Sequence, residues 1–190
     1  YKDGIISTNQ TKLEYSVYIE ATCTGSGIER GICPVCDKVL DEYSIPATGH
    51  SYDEKGECMN CDASYVIVDD KFINSSQFTN DSKNPFEYKD GVIKSTNITA
   101  NSTSSFKIKV VESTYVEIKA YLYLQSTDKF TIKINGVVQT TRQNVKTSMA
   151  FAYNLNANDT LEIVYTRGSS SKETVNSYVS VTNIKFYYEE

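Results

Sequence analysis

The stretch Val116-Glu-Ile-Lys-Ala-Tyr-Leu-Tyr-Leu124 alternates apolar residues with charged or tyrosine residues along its whole length. Such alternation is typical of a half-buried β-strand, because successive side chains point to opposite faces of a sheet. One face would carry Val116, Ile118, Ala120, Leu122 and Leu124, and the other Glu117, Lys119, Tyr121 and Tyr123. The stretch therefore predicts a strand with an apolar face in a core and tyrosines facing outward.

Similar patterns continue through residues 66–190. Asn135-Gly136 and Asp90-Gly91 each separate two strand-like runs, and each predicts a tight hairpin because a type I′ turn needs positive φ at both central residues. The last run, from Tyr178 to Tyr188, changes phase near Asn183, which predicts a β-bulge. We find no helical pattern in this region, and the regular spacing of strands and turns predicts an antiparallel β-sandwich.

Composition excludes several classes of function. The net charge is −5 and the nineteen Lys and Arg residues are scattered, so nothing indicates nucleic-acid binding. No apolar run is long enough to predict a transmembrane helix. The chain has one histidine and lacks the nucleophile-elbow, P-loop and dinucleotide-binding motifs, so we predict no enzymatic activity.

All five cysteines lie in a polar segment that has few large apolar residues. It contains two C-x-x-C motifs, Cys33-Pro-Val-Cys36 and Cys58-Met-Asn-Cys61, together with Cys23 and the histidine, His50. Each motif can place two thiolates on one metal ion. Because so short a segment needs a metal or disulfides to hold a fold, we predict a small zinc-ribbon-like module over residues 21–65.

The sequence is compatible with two alternative sets of zinc ligands. The first is Cys33, Cys36, Cys58 and Cys61, and the second is Cys23, Cys33, Cys36 and His50. The odd number of cysteines and their density favour structural zinc over disulfides, which are the alternative. We prefer the first set because both motifs then contribute. A closed site of four protein ligands would be structural and not catalytic.

The N-terminal residues 1–20 are predicted to form a strand segment. Residues Tyr1–Asn9 nearly repeat Tyr88–Asn97, so this segment is a candidate for the end of a preceding module. The chain also begins without Met or a signal peptide, and we interpret it as a piece of a longer protein. The predicted order is thus a strand segment, the cysteine-rich module over 21–65 and the sandwich over 66–190.

The cysteine-rich segment resembles a zinc-ribbon-like repeat of surface proteins from gut Firmicutes. The matching blocks, in order, are Glu20-Ala-Thr-Cys-Thr24, Cys33-Pro-Val-Cys36, Ile45-Pro-Ala-Thr-Gly-His50 and Gly56-Glu-Cys-Met-Asn-Cys-Asp62. The resemblance implies a secreted or wall-attached bacterial protein. This sequence differs from the repeat at Asp37 and Asp62, where the repeat has Gly after the second cysteine of each motif. We expect those turns to be strained or differently hydrogen-bonded.

Residues from about 75 onward resemble a second module of those surface proteins, a jelly-roll-like β-sandwich of the carbohydrate-binding type. The matching blocks are Asn84-Pro-Phe86, Asp90–Asn97, Ser104-Ser105, Ile134-Asn-Gly136, Leu155–Leu161 and Val181-Thr-Asn-Ile184. Sugar binding needs aromatic faces for stacking and polar groups for hydroxyls. Tyr121 and Tyr123 are the best candidates and Tyr187 is a weaker third. Alternatively, these tyrosines cover the sheet or meet a neighbouring domain.

Together these features predict a mainly β, non-catalytic module of an extracellular or cell-wall-attached protein that binds a polysaccharide or host glycan, or acts in adhesion. One alternative is a structural spacer or interaction domain that contacts other domains of the same parent chain. Another is an accessory region of an extracellular enzyme whose catalytic domain lies elsewhere.

Overall fold

A computed structural model describes residues 12–169 and 177–189, and the chain divides after Asp62 into two compact units. Both units consist of antiparallel strands, which confirms the predicted mainly β class. Residues Tyr1–Asn9, which carry the predicted repeat of Tyr88–Asn97, lie outside the described residues.

The first unit contains one three-stranded sheet. Its strands are β1 (Glu14–Ile19), β2 (Gly27–Ile32) and β3 (Val39–Ile45), with β2 in the centre. A Cβ atom at Gly27 would lie 2.5 Å from the backbone oxygen of Ile19 and the nitrogen of Ala21, so only glycine fits where the chain enters β2. Every residue of β1 is exposed, while Cys23 is buried, so this sheet lacks an ordinary apolar core.

The second unit contains two sheets. Its elements are β4 (Ser64–Ile67), α1 (Asp70–Ile73), β5 (Phe78–Asn80), β6 (Phe86–Lys89), β7 (Val92–Ser95), β8 (Thr103–Lys109), β9 (Thr114–Tyr123), β10 (Lys129–Ile134), β11 (Val137–Gln143), β12 (Lys146–Leu155), β13 (Thr160–Thr166) and β14 (Tyr178–Tyr188). One sheet has the order β11-β10-β13-β8-β5, and the other has the order β12-β9-β14-β7-β6, with β4 also paired to β14. The second of these, which we call the tyrosine sheet, carries the candidate ligand site.

The predicted alternation in β9 is confirmed. Val116, Ile118 and Leu122 are completely buried, whereas Tyr121 and Tyr123, which alternate with the apolar residues, are partly exposed. The buried residues join apolar side chains from the other strands in a single core. Because that core holds one face of β9 in place, the outer face presents its side chains from a rigid support.

Both predicted hairpins are present. Asn135 and Gly136 have φ values of 51° and 79°, and Asp90 and Gly91 have 51° and 80°, as a type I′ turn requires. The bulge predicted near Asn183 also occurs, as a register shift in the pairing of β14 with β9.

The prediction that the second unit contains no helix is wrong, because one short helix, α1, is present. Asp69 caps it, because its side chain accepts a hydrogen bond of 2.8 Å from the amide of Phe72. Phe72 and Ile73 pack against the core. A helix of a single turn leaves no periodic pattern, so only the cap could have indicated it.

Because Tyr165 is buried, the stability of the second unit is expected to fall at alkaline pH. Its hydroxyl lies 2.9 Å from Ser177 Oγ and donates to Asp128 Oδ2 at 3.4 Å. Burial raises the pKa of Tyr165 to about 12. A raised pKa in the folded state means that the stabilisation is complete below about pH 10 and is lost as the pH rises through 12.

We therefore expect the free energy of unfolding to fall by about 2 kcal/mol between pH 10 and 12 because of this tyrosine. Tyr165→Phe should remove that part of the decline, at the cost of a constant offset from the lost hydrogen bonds. Urea unfolding across this pH range measures the difference, with the partly exposed Tyr115→Phe as the control. Parallel curves for wild type and Tyr165→Phe would contradict the assignment.

Candidate metal centre and aromatic surface

Four side chains of the first unit converge into a possible metal site. The ligand atoms of Cys23, His50, Cys58 and Cys61 all lie within 4.8 Å of one another. The sulfurs of Cys23 and Cys58 are 3.8 Å apart, and the Cys61 sulfur is 3.3 Å from Nδ1 of His50. A tetrahedral zinc ion with bonds of about 2.3 Å to sulfur and about 2.0 Å to nitrogen separates its ligands by about 3.5 to 3.8 Å. This group, called the Cys3His cluster below, could hold a metal ion.

Backbone hydrogen bonds place the first two members of the cluster. The amide of Thr48 donates to the carbonyl of Thr22 at 2.9 Å, and the amide of Gly49 donates to that of Cys23 at 3.0 Å. Gly49 has φ of 72°, a conformation that favours glycine. The turn at this glycine sets His50 beside the cysteine.

A tight turn brings the other two members back to the histidine. The side chain of Asp53 accepts hydrogen bonds from the amides of Lys55 at 2.8 Å and Glu57 at 2.9 Å. Beyond the turn, the amide of Met59 donates to the carbonyl of Ser51 at 2.9 Å. The segment Cys58–Cys61 therefore runs back alongside the chain that leaves the histidine.

The electrostatics of the cluster favour the form of cysteine that binds metals. The pKa of Cys58 is lowered to about 6, first by the hydrogen bond from the backbone amide of Asn60 and further by His50 and the amide of Ser51. A thiolate is the ligand form of cysteine. Nε2 of His50 is buried and has no hydrogen-bond partner among the described residues, while Nδ1 faces Cys61.

The cluster combines members of both predicted ligand sets and equals neither. Cys58 and Cys61 come from the preferred set, and Cys23 and His50 come from the alternative. Cys33 and Cys36, which both sets contain, are not part of it, because they lie in the turn between β2 and β3. The one sequence feature that indicates this grouping is the short spacing between His50 and the second C-x-x-C motif, because a single turn can bring the two together.

The first C-x-x-C motif forms a compact turn of its own. The pKa of Cys33 is lowered, chiefly by the backbone amide of Val35 and then by the thiol and amide of Cys36. Asp37, at one of the two positions where the resemblance implies glycine, has φ of 54°, in the left-handed region, which agrees with the strain expected there. Asp62 is not among the residues with positive φ, so this strain occurs at only one of the two predicted turns.

The tyrosine sheet carries three tyrosines that lie next to one another on its outer face. Tyr123 and Tyr178 are cross-strand partners, with ring centroids 5.7 Å apart and ring planes within 7° of parallel. The ring of Tyr121 lies 6.1 Å from that of Tyr178. We call these three residues the tyrosine row. Tyr178 was missed in the sequence because only the pairing of β14 with β9 shows its proximity to the two predicted candidates.

Two lysines flank the tyrosine row. The ammonium of Lys146 is 4.7 Å from the ring centroid of Tyr123, and that of Lys94 is 4.4 Å from the ring centroid of Tyr178. These distances are those of cation–π contacts. The row is thus a mixed aromatic and cationic surface.

Tyr187, the weaker third candidate, lies elsewhere on the sheet. Its ring centroid is 6.0 Å from those of both Tyr65 and Tyr115, and its hydroxyl donates to a carboxylate oxygen of Glu117 at 3.1 Å. It therefore belongs to a second tyrosine group and not to the tyrosine row.

Comparisons with known proteins give similarity in fold at low sequence identity. A secreted serine protease, VesC, from Vibrio cholerae has a TM-score of 0.51 at 10% identity over 96% of this chain, which spans 41% of the protease's length. A family two carbohydrate esterase from Cellvibrio japonicus has a TM-score of 0.46 at 8% identity, and the match covers 67% of this chain and 34% of the esterase chain. A family 29 carbohydrate-binding module from Piromyces equi has a TM-score of 0.42 at 12% identity, and the match covers 68% of this chain and 93% of the module.

The likeness to the protease concerns the fold alone. No known family model matches the chain, and a search of curated proteins found no significant match. Within the described residues, no helix has the length and apolar character needed to cross a membrane.

Proposed function

We propose that this chain is a non-catalytic, glycan-binding part of a secreted or cell-surface bacterial protein, with a structural zinc ion in its first unit. The observation that carries the binding proposal is the tyrosine row. The zinc proposal rests on the geometry of the Cys3His cluster.

The tyrosine row has the chemistry of a polysaccharide site. Tyrosine rings contact the apolar faces of sugars, and their hydroxyls remain available for hydrogen bonds. Ser148 and Ser180 are the cross-strand partners of Tyr121 and add hydroxyl groups beside the rings. A shallow depression adjoins the row and is lined by Lys119, Ala120, Ser148, Met149, Ala150 and Thr182. An open surface of this kind suits an extended polymer better than an enclosed small ligand.

Zinc fits the donors of the Cys3His cluster. Three sulfurs and one imidazole nitrogen form a tetrahedral ligand type that structural zinc sites commonly use. Four protein ligands leave no position open for water or substrate, so the ion would stabilise the fold and take no part in chemistry. Cys23 and Cys58 are buried, and zinc would compensate the buried sulfurs with positive charge.

The glycan proposal is tested by removing the rings. Wild type should be retained on at least one polysaccharide in a glycan array or in affinity electrophoresis. Tyr121→Ala combined with Tyr123→Ala should lower that affinity by about five- to 150-fold, since each aromatic contact contributes roughly 0.5–1.5 kcal/mol. Tyr178→Ala should also weaken binding.

The matched control is Tyr115→Ala, on the same strand and the same face but in the second tyrosine group. It should leave binding unchanged. If wild type binds no glycan, the proposal fails and a structural spacer becomes the better function.

A further inference from the structure

We propose that the tyrosine row selects acidic polysaccharides, whose sugars carry carboxylate or sulfate groups. This inference rests on the proposed function, since it names the ligand class of the same site. Three observations carry it: the position of the two lysines over the rings, the absence of an ion pair at either one in the described residues, and the local charge of the sheet.

The lysines stand at the two ends of a continuous stack. Lys146 on β12, Tyr123 on β9 and Tyr178 on β14 are successive cross-strand partners. Lys94 on β7 is the partner of Ser180, and its ammonium reaches the ring of Tyr178 diagonally. Each ammonium lies over the ring of the tyrosine nearest to it. Each ring of this pair is therefore in contact with a cation when no ligand is bound.

This arrangement treats neutral and acidic sugars differently. A neutral sugar that stacks on a ring face occupied by an ammonium must displace that ammonium, and the cation–π contact is then lost. An acidic sugar compensates for that loss, because the displaced ammonium can pair with its carboxylate or sulfate. In a polymer with a charge on many sugars, both lysines can be paired at the same time.

Neither lysine forms an ion pair within the described residues, although Glu87 is the cross-strand partner of Lys94. Among the described residues, no acidic oxygen lies within 4.0 Å of the ammonium of Lys94 or Lys146. On the opposite sheet, by contrast, Lys107 and Lys133 contact the carboxylate of Glu162 at 3.8 Å and 3.3 Å. The row's lysines are therefore available to a ligand.

The whole tyrosine sheet is locally basic on an acidic chain. Its outward-facing strand positions include five lysines and two glutamates, namely Lys89, Lys94, Lys119, Lys146, Lys185, Glu87 and Glu117. This is an excess of three positive charges, whereas the chain carries a net charge of −5. Such a surface attracts polyanions and adds a salt-dependent term to their binding.

The test compares polygalacturonate with fully methyl-esterified pectin, which has the same backbone without the charge, and includes heparin as a sulfated polymer. At low ionic strength, wild type should bind polygalacturonate or heparin at least about tenfold more tightly than the esterified polymer. The preference should shrink at high salt. Preference for polygalacturonate alone identifies the carboxylate as the recognised group, and preference for heparin alone identifies the sulfate.

Variants assign that preference to the row. Lys94→Gln with Lys146→Gln should abolish it, while Lys109→Gln with Lys129→Gln, which removes the same charge from the opposite sheet, should preserve it.

The outcomes separate this inference from the proposed function. Equal affinity for charged and esterified polymers, or a preference unaffected by Lys94→Gln with Lys146→Gln, overturns the acidic selectivity and keeps glycan binding. Duplex DNA bound as tightly as the acidic glycans also overturns it, since a general charged patch would then suffice. Failure to bind any glycan, charged or neutral, overturns both.

Discussion

Removal of the metal is expected to unfold the first unit and to leave the second unit folded. Every residue of β1 is exposed, and the buried side chains of this unit include Cys23, Cys33 and Cys58. A unit that lacks an apolar core depends on its metal, and structural zinc provides an apparent binding free energy of about 10–16 kcal/mol in small zinc-finger peptides. The second unit has its own continuous core and needs no such ion.

The experiment combines metal analysis with a structural readout of each unit. Mass spectrometry under native conditions should find one zinc per chain, and a strong chelator should remove it. In an amide NMR spectrum, the resonances of residues in the first unit should then collapse to unfolded positions, while those of the sandwich stay in place. Cys58→Ser should have the same effect as the chelator.

The control decides between the ligand sets. Cys33→Ser with Cys36→Ser should retain one zinc, because the Cys3His cluster does not contain these residues. Loss of zinc in that double variant would instead favour the ligand sets predicted from the sequence. A metal-free chain with an unchanged spectrum would contradict the zinc proposal.

The strands were accessible from the sequence because their determinants are local. Alternation in β9, the Asn-Gly and Asp-Gly turns and the phase change near Asn183 each reflect a few neighbouring residues. The same argument explains the miss at α1. Its cap at Asp69 is local, but a helix of one turn has no period for the sequence to display.

The Cys3His cluster could not be read from spacing alone. C-x-x-C spacing shows that two sulfurs can share an ion, but which motif meets Cys23 and His50 depends on how the connecting loops fold back. In this chain the hydrogen bond from the amide of Gly49 to Cys23 and the turn at Asp53 bring the second motif to Cys23 and His50. These contacts join residues that no pattern marks as neighbours.

The tyrosine row shows the same limit. Alternation predicted that Tyr121 and Tyr123 face outward, and in the structure Tyr178 lies on the face opposite to Val179. That Tyr178 and Lys94 complete the row follows from the order of the strands in the sheet. Strand order is a long-range property, so the chemical character of the surface appeared only with the structure.

Substitution of Phe106 by alanine is expected to produce the largest loss of stability in the second unit. Phe106 on β8 is 1% exposed. Its ring centroid is 5.1 Å from that of Phe78 on its own sheet and 5.1 Å from that of Phe86 on the tyrosine sheet. The ring therefore packs in the core between the two sheets, and its removal leaves a cavity that both of them line.

Replacing a buried phenylalanine with alanine costs about 3–5 kcal/mol, a large part of the roughly 5–15 kcal/mol that stabilises a typical domain. Urea unfolding of the zinc-loaded chain, followed by near-ultraviolet circular dichroism of the tyrosines, should show this loss in the transition of the second unit. Phe106→Leu keeps most of the volume and should cost less than about 2 kcal/mol. An alanine variant that loses less than about 1 kcal/mol would mean that the sheets close around the missing ring, which contradicts a rigid core beneath the tyrosine row.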